Sequence, residues 1–228
     1  MYEYSGRALI FGTSGGIGLA FSKFLENKLG TENVIKVSRS FDGFEISDEE
    51  NVLKFSESIE GSFNLIINAI GVLQTTEEGP EKTINVVKQR SMIDIMTINA
   101  IGPALLLKNF CKKLDKTKFS VFVNLSARVG SITDNRLGGW ISYRSSKAAL
   151  NQIIKTSSIE INRRNKKAIC VGLHPGTVDT KLSKPFQKSA KKIFEPEESA
   201  LKLTKVIDNL EIKDTGKIFD YAGKLIPY

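Results

Sequence analysis

Tyr143 and Lys147 stand four residues apart at the start of a helix-period segment, residues 142–163. That spacing places a phenol and an ammonium on one helix face. A cation beside a tyrosine stabilises the phenolate and is expected to lower its pKa from about 10. Such a tyrosine is a usable general acid for a carbonyl oxygen near neutral pH. Taken alone, the same spacing also describes an ordinary surface pair. A second group of residues suits phosphate. Gly12, Ser14, Gly15, Gly16, Ile17 and Gly18 lie between an apolar run and a helical pattern. A helix N-terminus offers free N–H groups and a positive dipole end, and glycines let a pyrophosphate approach the backbone. The order is G-x-x-x-G-x-G, and no Gly-Lys-Ser/Thr follows, so this is not a P-loop.

The elements that must position these groups alternate. Apolar runs at 8–11, 34–37, 63–70, 120–125, 168–173 and 217–221 read as strands. Helical patterns cover 17–29, 48–59, 91–114, 142–163 and 197–210, with a break expected at Gly102-Pro103. Strands alternating with helices imply an α/β fold with a parallel sheet covered on both faces. After the second strand, Ser38 stands where an acid would hold a ribose 2′-OH, and Arg39 follows. An arginine there suits a 2′-phosphate, which favours NADP(H) over NAD(H).

The chain has 228 residues, 41% of them apolar and 25% charged, as a globular protein requires. Its single histidine, His174, excludes a multi-histidine metal site, and no metal is expected. Cys111 and Cys170 form no disulfide framework and read as small buried hydrophobes. No signal peptide is read at the N-terminus, no apolar run reaches about 18–20 residues, and a cytoplasmic location without membrane association is expected. The net charge of +8 admits either an anionic partner or a Lys-rich solvated surface. No nucleic-acid motif accompanies it, and no nucleic-acid partner is expected.

Six motifs in order resemble the short-chain dehydrogenase/reductase family over essentially the whole chain. They are the turn Gly12 to Gly18, Asn68-Ala69-Ile70-Gly71, Thr97-Ile98-Asn99, Val123-Asn124-Leu125-Ser126, Tyr143-x-x-x-Lys147, and Pro175-Gly176-Thr177-Val178-Asp179-Thr180. The stretch SARVGSITDNRLGGWISYRSSKAALN and the ending FDYAGKLIPY look most like its C-factor-like and sniffer-like branch. The resemblance implies a Rossmann-type doubly wound sheet, one NAD(P)-binding domain over residues 1–228, and a substrate lid at 180–195. It implies an oxidoreductase that interconverts a carbonyl and a secondary alcohol. Tyr143 would move the proton, and Lys147 would also hold the nicotinamide ribose. Asn99 would kink its helix and hold a water linking Lys147 to solvent. Asn68, Ala69 and Gly71 would border the cofactor. Pro175, Gly176, Thr177, Val178 and Thr180 would contact the nicotinamide amide and the diphosphate. A homodimer or homotetramer is expected, with Leu150, Ile154 and Ile161 on a second face of the long helix.

The departures matter. Phe11 replaces the usual threonine before the first glycine, and Glu45-Ile46 replaces the acid after the third family strand. Where the family has Asn-x-Ser-Ser, this chain has Asn124-Leu125-Ser126-Ala127, so Ala127 takes the register of the catalytic serine. Either Ser126 or Ser131 supplies the hydroxyl, or the contact is weaker; Ser126 is the choice. His174 could act in catalysis, but reads better as a packing or cofactor-adjacent residue. Trp140 lines a pocket or packs in a core or interface. Lysines 181, 184, 188, 191 and 192 in the lid region suit either an acidic or phosphate-bearing substrate or plain solvation. A signalling protein that binds NADP(H) without turnover is the competing reading.

Overall fold

The computed structural model describes residues 6–75, 79–184, 187 and 192–228. The strands are β1 (Ala8–Phe11), β2 (Val34–Val37), β3 (Leu65–Asn68), β4 (Ser120–Leu125), β5 (Ala168–His174), β6 (Thr177–Val178), β7 (Ile193–Phe194) and β8 (Ile218–Asp220). The main sheet has the order β2-β1-β3-β4-β5-β8, with every pair parallel. Strands β6 and β7 form a small parallel pair apart from it. The third predicted strand is shorter than its apolar run, because Phe63 makes only an isolated bridge to Leu114.

The helices are α1 (Gly16–Leu29), α2 (Arg39–Asp42), α3 (Glu49–Ser58), α4 (Gln89–Met96), α5 (Gly102–Phe110), α6 (Ile141–Arg164) and α7 (Pro196–Asp208). Alternate strand residues feed two cores. Leu9, Phe11, Ile66, Phe122 and Cys170 pack with Val52 of α3, Leu106 of α5 and Leu150 and Ile154 of α6. Ala8, Ile10, Leu65, Ile67 and Val121 pack on the opposite face with Phe21 and Leu25 of α1 and Leu203 of α7. Coverage of both faces is why the strands are apolar almost throughout.

Two expectations change. The break predicted at Gly102-Pro103 falls earlier, as a π-helical segment, Thr97–Ile101, between α4 and α5. Pro103 lies in the first turn of α5, where a missing N–H costs nothing. The stretch Gln89–Lys113 is long and apolar enough by composition to cross a membrane, but here α4 packs on α6, and α5 on α3 and α6. Leu150, Ile154 and Ile161 are all buried in the chain's own core and offer no face to a second copy. Cys170 is buried and Cys111 part-buried, both as free thiols whose pKa burial raises.

The carboxyl ends of β1, β3, β4 and β5 meet along one sheet edge. A 3₁₀ turn, Arg128–Gly130, carries the chain from β4 onto α6. A Cβ at Gly130 would lie 2.8–2.9 Å from the Lys147 carbonyl carbon, Cβ and carbonyl oxygen. Gly130→Ala must therefore push α6 away from the sheet edge. A loss of about 1–3 kcal/mol is expected, at roughly 2–4 °C per kcal/mol for a chain of this size. An unchanged thermal midpoint would contradict this packing.

Candidate active site

The site starts with an asparagine ladder. Asn68 at the end of β3 donates from Nδ2 to Asn124 Oδ1 on β4 at 3.0 Å, and its Oδ1 accepts from the Ile70 N–H at 3.1 Å. This pins the turn that follows β3. Asn99, on the π segment, closes that turn from the other side. Its Oδ1 accepts from Val72 N–H at 2.9 Å, and its Nδ2 donates to Val72 O at 2.7 Å and to Ser146 Oγ at 3.1 Å. The widened helical turn brings a buried amide between a loop and α6.

Tyr143 and Lys147 share one face of α6, as their spacing predicts. Lys147 is buried, and its Nζ donates to Leu125 O at the end of β4, 2.9 Å away. A Cβ at Gly71 would lie 3.4 Å from both Lys147 Nζ and Asn99 Oδ1, so the three groups meet. The expected lowering of the Tyr143 pKa is reversed. Loss of solvent pushes Tyr143 up to about 12 and draws Lys147 down to about 8. The ammonium lies 5.8 Å from the phenol ring centre and spends a hydrogen on Leu125, so desolvation outweighs its attraction. At neutral pH Tyr143 keeps its proton and Lys147 its charge.

Gly71, Tyr143 and Lys147 border a cavity of about 380 Å³. Ile17, Ala69, Ile70, Gly71, Ser126, Ala127, Tyr143, Lys147, His174, Pro175, Gly176, Thr177, Val178 and Thr180 line it. Ser126 Oγ lies 2.6 Å from Asn151 Oδ1, both buried, while Asn151 Nδ2 has no partner. Turning that amide over lets Nδ2 donate to Ser126 and frees the hydroxyl hydrogen for the cavity. Ser131 instead accepts from the Asp134 N–H and does not line the cavity. Ala127 occupies the wall beside Ser126, in the register of the missing serine.

The cofactor-type residues gather at the adjoining end. No side chain caps α1, whose N-cap is Gly15. A Cβ at Gly16 would lie 2.9 Å from Thr180 Cγ2, and one at Gly18 would lie 2.2 Å from Gly12 O. The turn and the segment after β5 therefore form one close-walled cradle. Ser199 of α7 donates to Pro175 O at 2.9 Å and fixes that segment. Arg39 opens α2 with an exposed guanidinium 3.8 Å from the Glu45 carboxylate. Ser38 caps α2 through its Oγ, and its N–H donates to Asp42 Oδ2 at 2.7 Å. Arg39 is thus at the expected strand end, outside the cavity lining.

Several wall residues escaped the sequence reading. Leu73, Val129 and Leu182 add apolar surface, and Arg128 adds a guanidinium. Arg128 is ion-paired with Asp134 at 3.0 Å and Asp220 at 2.8 Å. Trp140, weighed as a pocket or a packing residue, lines the cavity, its ring centre 6.3 Å from that of Tyr143. It is the one described non-glycine residue with positive φ, at 53°. Left-handed backbone costs an L-residue about 1–2 kcal/mol. In the segment expected to form a lid, Lys192 approaches Glu198 at 3.4 Å and the Phe194 ring at 4.6 Å, so its charge is met. Lys188 and Lys191 lie outside the described residues.

A model of the family described as short chain dehydrogenase matches residues 26–191. The chain belongs to the short-chain dehydrogenase family. C-signal of Myxococcus xanthus is 30% identical over 168 residues, 74% of this chain and 94% of that protein. An uncharacterized oxidoreductase of Schizosaccharomyces pombe is 29% identical, over 80% of this chain and 74% of its own. Among solved structures, the NADPH-bound carbonyl reductase from chicken fatty liver superposes with a TM-score of 0.81 at 26% identity. That match covers 97% of this chain and 98% of the other. Carbonyl reductase Sniffer of Drosophila melanogaster gives a TM-score of 0.82 at 23% identity, over 98% and 100% of the two chains, a likeness of fold. The short-chain dehydrogenase match excludes the glycine-rich turn, which is carried by the geometry above.

His174, the single histidine, ends β5 in the cavity wall with Nδ1 buried and unpartnered. Burial, then the nearby Arg128 charge, draws its pKa from 6.5 to about 4. The unfolded chain therefore binds a proton first as pH falls. Stability attributable to His174 is complete above about pH 6.5 and is lost towards pH 4. Across that window the wild type should lose up to about 1.4 kcal/mol per pH unit relative to His174→Gln. Parallel thermal-midpoint curves for the two proteins would contradict the buried neutral imidazole.

Proposed function

We propose that the chain is an NADP(H)-dependent oxidoreductase that interconverts a carbonyl and a secondary alcohol, with Tyr143 as general acid/base. The observation that carries this reading is that Tyr143 and Lys147 line one cavity with Ile17 of the turn at Gly12 to Gly18, while the buried Asn99 amide ties the loop after β3 to α6 beside them. The uncapped α1 N-terminus and the close-walled glycine cradle fit a dinucleotide. When bound, the nicotinamide supplies or accepts the hydride. The protein's share is positioning and the proton. Gly12, Ser14, Gly15, Gly16, Ile17 and Gly18 would hold the diphosphate, and Arg39 the 2′-phosphate. Asn68, Ala69, Gly71, Pro175, Gly176, Thr177, Val178 and Thr180 would frame the nicotinamide end.

Tyr143, protonated at neutral pH, would donate to the substrate oxygen. Lys147 would hold the ribose hydroxyls and stabilise the phenolate left behind. Asn99 fixes the π segment against the loop and α6, which keeps Lys147 in place. Ser126, backed by Asn151, would polarise the carbonyl, and its place on the cavity wall supports it over Ser131. An anionic substrate finds less support, because Arg128 is already paired with two carboxylates. The NADPH of the chicken liver neighbour, at 26% identity, supports the cofactor.

Two observations favour a second reading, a cofactor-binding signal protein with little turnover. Ala127 replaces the usual serine, and C-signal is among the relatives. Turnover decides between them. Tyr143→Phe should lower NADPH-driven carbonyl reduction by about 10²–10⁴ and leave NADPH affinity within a few-fold. Full activity in that variant would defeat the proton role, and wild-type protein that binds NADPH but reduces nothing in a broad carbonyl panel would favour the signal reading. A charge-assisted contact is worth about 1.5–3 kcal/mol. Arg39→Asp should therefore cut the preference for NADPH over NADH by at least tenfold, and equal affinities in the wild type would defeat the role of Arg39.

A further inference from the structure

The approach to the catalytic helix is built from three successive left-handed residues. Gly138, Gly139 and Trp140 have φ of 65°, 66° and 53°. Glycine adopts this backbone freely; tryptophan does not. Something must hold Trp140 there: the Arg144 side chain on the residues before it, and Glu81 through its backbone oxygen on Trp140 and its carboxylate on Ser142. Arg144 donates from Nε to Gly138 O at 3.2 Å and to Gly139 O at 2.9 Å, and from Nη1 to Val129 O at 3.4 Å. Glu81 acts from the opposite side. Its backbone oxygen accepts the Trp140 N–H. Its carboxylate accepts the Ser142 N–H at 3.3 Å and the Ser142 hydroxyl.

Glu81 is buried, and among the described residues no cation pairs with it. Its carboxyl oxygens sit on the first turn of α6, a place where the helix dipole favours an acidic side chain. It therefore grips the chain on both sides of the bond into α6: Trp140 before it and Ser142 after it. Tyr143 is the next residue. The indole so held stands 6.3 Å from the Tyr143 ring at 70° and forms cavity wall with Leu73, Val129 and Leu182. A flat apolar group attached to a carbonyl at Tyr143 would meet the indole and these aliphatic side chains. Offset or edge contacts between rings favour such a flank beyond its burial.

We propose that Glu81 is a positioning residue that fixes Trp140 as the specificity-determining wall of the cavity, selecting carbonyls that carry an aryl or similarly flat apolar flank. The substrate class rests on the carbonyl–alcohol reading above; the positioning does not. Trp140 is the single tryptophan of the chain, so emission under tryptophan-selective excitation reports this residue alone. Emission maximum and acrylamide quenching are measured for wild type, Glu81→Ala, Glu81→Gln and Ser142→Ala. Turnover with NADPH is measured for an aryl methyl ketone and a small aliphatic ketone.

Glu81→Ala should red-shift the emission and at least double the quenching constant. It should raise the KM for the aryl ketone about 5–10-fold, with the aliphatic KM and NADPH affinity within twofold. Glu81→Gln, which keeps a side-chain acceptor for Ser142, should recover most of both effects. Unchanged emission together with an unchanged aryl-to-aliphatic ratio of kcat/KM would overturn the proposal. If Glu81→Ala does not fold, Ser142→Ala removes the hydroxyl half of the carboxylate contact and must move emission and ratio in the same direction by a smaller amount, or the proposal falls. If the wild type reduces neither ketone, the carbonyl reading fails by itself. Emission still decides the positioning, and quenching of Trp140 by the aryl ketone in the NADPH-loaded protein decides the selectivity.

Discussion

A lysine ammonium placed at the carboxyl ends of two parallel strands loses its water and must find its partners in the protein. Lys147 finds the Leu125 carbonyl at 2.9 Å and little else of opposite charge. Burial draws its pKa to about 8, so it remains a cation at neutral pH with little to spare. Much of the site follows from making that position tenable. Gly130 admits the α6 backbone at Lys147, where a Cβ would collide. The π segment brings the Asn99 amide beside the ammonium and ties it to Val72 and Ser146. Once α6 is seated in this way, the i, i+4 spacing leaves Tyr143 no choice but the cavity.

The same constraint explains why a changed serine register is tolerable. The register position holds Ala127, a small apolar wall residue, while Ser126 turns into the cavity against Asn151, one helical turn beyond Lys147. Asn151 of α6 thus anchors the Ser126 hydroxyl of β4's end, as Leu125 of β4 anchors the ammonium of α6. Both anchors belong to the interface between β4 and α6, the interface that the asparagine ladder Asn68–Asn124 steadies from below. Polar groups buried this densely are useful only when nearly all are paired. Here Asn124 Nδ2 and one atom of the Asn151 amide are left over, as are His174 Nδ1 and Gln74 Oε1 among the described residues.

The strand and helix order was legible because apolar period switches cleanly between short runs and helical stripes. The ends were less so. Phe63 belongs to the apolar run of β3 by composition but pairs only as an isolated bridge. The π segment left no mark in the sequence, since Thr97–Ile101 reads as plain helix and Gly102-Pro103 looks like the stronger break. Tyr143 and Lys147 were found by spacing, yet the direction of the Tyr143 pKa depends on burial, which spacing does not report. Arg128, Glu81 and Asn151 were missed because their partners lie 92, 61 and 25 residues away. Only Gly138-Gly139 before Trp140 hinted that the chain there needs an unusual backbone.

The charge on Lys147 is the claim on which the account turns, and the pH dependence of kcat/KM for NADPH tests it most directly. That quantity reports groups of the free enzyme. With saturating carbonyl from about pH 6 to about pH 10, kcat/KM should stay level and then fall with unit slope above about pH 8, as the buried ammonium loses its proton. Tyr143, pushed up to about 12, contributes nothing in that range. A profile level to about pH 10 would contradict the account, because binding and reduction would then proceed with Lys147 neutral.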